Sequence, residues 1–109
     1  MPARLKQLSP GELAAADDRA RVKHYLAVLA ERAPGKSVEV RVPPYAAVQC
    51  IEGVRHTRGT PPAVIETDPE TWLSLATGDL EWSAALASGR VRASGERTDL
   101  SSYLPLEPT

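Results

Sequence analysis

Residues 68–95 read DPETWLSLATGDLEWSAALASGRVRASG, and this stretch decides the fold. Asp68 stands where a helix N-cap is wanted, and Pro69 suits the first helical position. Trp72, Leu73, Leu75 and Ala76 supply the apolar side chains, and Gly78 ends the helix. Asp79 then caps a second short helix through Trp82, Ala85 and Leu86, which Gly89 ends. Arg90-Val91-Arg92-Ala93-Ser94 alternates with the period of a strand, and Gly95 turns the chain. Helices this short are not stable alone, so they must lie on a sheet to which the strand also belongs.

The sheet is supplied upstream. Val38, Val40 and Val42 alternate with Glu39 and Arg41, the pattern of a half-buried strand, and Pro43-Pro44 stops it. The run from Tyr45 to Ile51 is almost all apolar, which predicts a central strand. Glu52-Gly53 reads as a turn and Val54 to Arg58 as a short strand, before the break at Gly59-Thr60-Pro61-Pro62. Ala63 to Glu66 is another strand. Farther upstream, Ser9-Pro10-Gly11-Glu12 starts a helix, with Ser9 as cap and Glu12 three residues on. Val22, Leu26, Leu29, Ala30 and Ala33 form one apolar stripe, ended by Pro34-Gly35. Asp17-Asp18 marks either a break or a second start, so residues 1–17 are a flexible or separate N-terminal helix. Downstream, Thr98 or Asp99 caps a last short helix carrying Leu100, Tyr103 and Leu104, closed by Pro105. The expectation is one domain, 1–109, of class α+β, with a mostly antiparallel sheet covered on one face by helices.

Composition narrows the function. At 109 residues there is room for one core. A net charge of -1 argues against a nucleic-acid binder and gives no reason to sit on anionic membranes. The single cysteine excludes an internal disulfide and a cysteine-based zinc site. No apolar run approaches the ~20 residues that span a bilayer. The first residues carry no apolar signal-peptide region, so a soluble cytoplasmic protein is expected. Phe is absent, leaving Leu, Val, Ala, Trp and Tyr to fill the core.

No reactive constellation emerges. Cys50 shares strand parity with Ala46 and Val48 and reads as a buried, inert thiol; catalysis would require a base or a cationic environment. His24 lies about 200° around the helix from Val22 at 100° per residue, so it is expected to face solvent. His56 sits in the basic stretch Arg55-His56-Thr57-Arg58, which either meets an anionic head group or protects a sheet edge. The two histidines form no metal motif, and no cofactor is called for. Asp68, Asp79 and Asp99 all stand at helix starts, where capping accounts for them. There is no nucleophile elbow, no dinucleotide fingerprint and no P-loop.

The stretch Asp68 to Gly78, followed by Asp79 to Gly95, resembles the sterol carrier protein (SCP-2-like) family in its helix, Gly, short helix, Gly, basic strand and Gly. The upstream order matches too, so the likeness covers most of 26–104, and it is greatest to short stand-alone actinobacterial members. The long Gly-rich hairpin region of the family is compressed here into 52–62. The resemblance implies about five strands under a helical layer, an apolar tunnel between them, and ligand binding without chemistry. The function expected is binding or transfer of a hydrophobic ligand: a fatty acyl chain, acyl-CoA or sterol-like lipid. The sheet side of the pocket would be Val40, Val48 and Ile65. The helical side would be Trp72, Leu75, Trp82, Leu86, Leu100 and Leu104. Arg55, His56 and Arg58 would meet a head group. No nucleic acid and no stable membrane insertion are expected, and the sequence leaves a homodimer or protein partner open. The alternatives are an interaction or dimerisation module with a closed core, and a thiol-dependent enzyme or accessory subunit using Cys50 and His56.

Overall fold

The structure is a computed structural model that describes residues 5–53, 63–95 and 98–107. Its elements run α1 (Pro10–Ala14), α2 (Asp18–Arg32), β1 (Val38–Val42), β2 (Ala46–Cys50), β3 (Ala63–Thr67), α3 (Pro69–Thr77), α4 (Trp82–Ala87) and β4 (Val91–Ser94). The strands form one sheet in the order β2-β1-β3-β4. The outer pairings are antiparallel, but the central β1–β3 pair is parallel, so the sheet is mixed rather than mostly antiparallel. The described residues hold four strands rather than about five; the short strand expected at 54–58 lies outside them.

Local chemistry sets the boundaries. Ser9 and Glu12 form a reciprocal capping box at α1. Asp17 caps α2 through the Ala20 N–H, 2.9 Å, so Asp17-Asp18 is a second start. Asp68 accepts from the Thr71 N–H at 2.7 Å and from its hydroxyl at 3.0 Å. Burial opposes ionisation of Asp68, but these donors, with Arg90 nearby, hold its carboxyl below the usual range. Gly78 ends α3 in the left-handed conformation, φ 89°. The cap of α4 is Glu81, not Asp79, because the helix begins only at Trp82; Asp79 instead lies within reach of the Thr77 hydroxyl. No last helix forms after Asp99. Its carboxylate accepts from the Ser101 N–H at 2.8 Å, closing a turn over 101–103, and Pro105 soon follows.

Register settles which parity faces the helices. Val40 pairs with Val48 and Ile65, and Ile65 with Ala93, so these four share one face. Val38, Val40 and Val42 are fully buried there. The opposite face carries Glu39, Arg41, Glu66 and Arg92. Arg92 and Glu66 are cross-strand partners at 3.2 Å, an exposed pair worth about 0–1 kcal/mol. β2 is an edge strand of the described sheet, not a central one. Its apolar run alternates in burial, with Ala47 and Gln49 exposed on the outer face. Alanine adds to an apolar count without needing cover on both sides.

α2 lies against β2 and α3 and is buried around most of its circumference. The Trp72 indole N–H donates to the Val22 carbonyl, 3.3 Å, joining α3 to α2. The Leu106 N–H donates to the Ala76 carbonyl, 2.8 Å, bringing the C-terminal segment onto α3. Tyr25 donates its hydroxyl to Glu107; burial, with Glu107 adding to it, pushes the phenol up to about 12.

His24 corrects a sequence expectation. It is buried, because residues 5–8 cover the side of α2 that a lone helix would show to water. Its Nδ1 accepts from the Leu8 N–H at 2.8 Å, and its ring meets Tyr25 edge-on at 4.8 Å.

Candidate functional site

The space between sheet and helices is largely filled. Tyr25, Leu26, Ile65, Trp72 and Leu100 are each at most 1% exposed and belong to one continuous core with Val40. One open space lies beside α4, β4 and the C-terminal segment. There a half-open groove of about 710 Å³ runs between α3, α4, Ala93 and residues 98–105. Ligand pockets typically measure ~300–1,000 Å³.

Five larger apolar side chains line it: Leu75 from α3, Leu80 from the link to α4, Trp82 and Leu86 from α4, and Leu104 from the C-terminal segment. Each has a local reason to be there. Gly78 turns the chain back, and the Leu80 N–H donates to the Ser74 carbonyl at 3.2 Å, which sets Leu80 beside α3. Trp82 and Leu86 are four apart on α4 and share a side of the helix. Leu86 is 40% exposed, the one large exposed hydrophobic among the described residues. Ala93 lines the groove because its parity turns it to the helical face.

Of the residues expected from sequence, Leu75, Trp82, Leu86 and Leu104 meet at this groove. Val40, Ile65, Trp72 and Leu100 lie in the closed core beneath it. Val48 lies elsewhere, in a second hollow of about 800 Å³ between α2, residues 5–7 and β2. That hollow is slightly larger but has a more polar wall, including Glu31, Lys36 and Gln49, with Gln7 bonded to Glu31 within it. The first groove therefore offers the better surface for an apolar ligand. Arg55, His56 and Arg58 lie outside the described residues. Leu80 and Ala93 escaped the sequence reading. Leu80 lies outside any helical stripe, and the parity of Ala93 needed the β3–β4 register.

The thiol is poorly suited to chemistry. Cys50 is fully buried, and burial pushes it up to about 11. Near neutral pH that leaves about one thiolate in ten thousand. Among the described residues no group of three or more His, Cys, Asp or Glu could hold a metal ion. No described helix is long and apolar enough to cross a membrane.

The sequence profile of a family described as a bacterial SCP ortholog matches residues 15–106, most of the chain. The matched span runs from before α2 to Leu106 and so includes every wall of the groove. No curated protein matches the chain by sequence.

Proposed function

The chain belongs to this sterol-carrier-protein-like family, whose members are generally non-catalytic lipid carriers, and from that premise we propose that it binds or transfers a hydrophobic ligand without catalysis. The ligand chain would lie in the groove between α4, β4 and the C-terminal segment, in a protein working in the cytoplasm. One observation carries the reading: five apolar side chains, from α3, its link to α4, α4 and the C-terminal segment, converge on a half-open space instead of closing it.

Burial of one CH₂ contributes roughly 0.8 kcal/mol, so a fully covered C16 chain gains about 12 kcal/mol before association costs. A half-open groove covers less of the chain, which points to micromolar rather than nanomolar affinity. The geometry gives less support to a dimerisation module, since a single exposed leucine is ordinary on a soluble surface. The thiol-enzyme alternative is disfavoured by the burial of Cys50.

The test is Leu86→Trp. Because Leu86 is partly exposed, the larger ring enters the groove without displacing core atoms. The delipidated variant should unfold within about 0.5 kcal/mol of the parent, the range usual at surface positions. It should bind a long-chain alcohol at least tenfold more weakly by calorimetry. Undiminished binding would place the ligand elsewhere.

A further inference from the structure

Carboxylates are the only charged side chains on the described walls of the groove. Glu81 and Asp99 bring carboxylates, and Ser83, Thr98 and Ser101 bring hydroxyls. Among the described residues no lysine, arginine or histidine lines it. Glu81 is the N-cap residue of α4, yet its side chain makes no capping bond, so the helix does not occupy its carboxylate. Asp99 accepts from the Ser101 N–H, and the Ser101 donors hold its carboxyl below the usual range. Arg32 reaches the carbonyl of Pro105, a wall residue, at 3.4 Å, whereas two other arginines pair away from the groove. Arg92 pairs with Glu66 on the outer sheet face, and Arg90 donates to the Thr71 hydroxyl at the far end of α3.

Ionised carboxylates accept hydrogen bonds and cannot donate them. An anionic head at this rim would meet like charge from Glu81 and Asp99, with no lysine, arginine or histidine among the described wall residues, whereas a donating head would find acceptors in both carboxylates. We propose that Glu81 and Asp99 make the groove selective for amphiphiles with a hydrogen-bond-donating, non-anionic head over those ending in a carboxylate or phosphate. This selectivity rests on the reading of the groove as the ligand site. It concerns the head alone, since the apolar walls do not distinguish chains of equal length.

The test holds the chain constant and varies the head. Dodecanol, dodecylamine and dodecanoate are titrated at pH 7.5 against the delipidated full chain by calorimetry. Dodecanol and dodecylamine should both bind, each at least tenfold more tightly than dodecanoate. A tighter amine would show that the rim acts by charge, and a tighter alcohol that it acts by hydrogen bonding; either result supports the selectivity. The E81Q/D99N double variant should narrow the alcohol-to-carboxylate ratio below threefold by strengthening dodecanoate. Dodecanoate binding as well as dodecanol, or a ratio unmoved in the double variant, would overturn the inference while leaving the groove as a lipid site. Failure of all three ligands to bind would instead overturn the reading of the groove itself.

Discussion

His24 shows how much one side chain depends on a distant segment. Its Nδ1 accepts from the Leu8 backbone, so the neutral ring carries its proton on Nε2, which is buried without a partner among the described residues. Burial lowers its affinity for a second proton; the charge of Glu107 opposes this but is the weaker effect. The unfolded chain, with a histidine near 6.5, therefore binds more protons than the folded one as pH falls. The resulting stability is complete above about pH 6.5 and is lost as pH falls through the lower folded value. Urea midpoints measured from pH 7.5 to pH 5 should decline, and His24→Asn, which keeps an acceptor near Nδ1 but does not titrate, should flatten that decline. An equally steep decline in the variant would remove His24 as the cause. Cys50 gives a second residue-scale prediction: native protein should resist thiol reagents until it unfolds, and labelling as fast as a free thiol's would contradict its burial. The environment of Cys50 was legible from strand parity, which is local. That of His24 was not, since the covering segment lies 16 residues upstream and belongs to no helical stripe.

At the scale of elements, caps and glycines carry much of the specification. Asp68→Ala would remove the acceptor of the Thr71 N–H and leave the buried Thr71 hydroxyl without it; a loss of about 1–2 kcal/mol in chemical denaturation is expected. Gly95 sits at φ 93°, and a Cβ there would lie 2.8 Å from both Cα and Cβ of Ala63. Gly95→Ala should therefore cost about 1–3 kcal/mol and lower the Tm, from strain and from displacement of β3. An unchanged Tm would mean that the strand end yields freely. Helix starts written as Ser or Asp before Pro were readable, as at Ser9 and Asp68. Asp79 misled because it precedes the first turn of α4 by two residues and meets Thr77 instead. The segment after Asp99 has helix-like spacing but is too short, and only its first turn forms.

For the whole molecule, the class followed from the order of periodic segments, whereas the parallel β1–β3 pair did not. Strand periodicity carries no direction, and the pairing depends on a crossover past β1. The candidate site was legible in part for the same reason. Helix patterns identify apolar faces, and Trp82, Leu86 and Leu104 came from them. They cannot separate a side chain that closes the core, such as Trp72 at 1% exposure, from one that leaves space beside it. That difference depends on how α3, α4, β4 and the C-terminal segment assemble, which no single segment's pattern records. Both indoles are buried in one core, but only Trp82 lines the groove, so the two report on different places. The most direct test titrates the delipidated protein with a bromine-terminated long-chain alcohol and follows tryptophan emission. Saturable quenching at micromolar concentrations, lost in Trp82→Phe, is the predicted result. Quenching that never saturates, or that persists in Trp82→Phe, would contradict a lipid chain lying in this groove.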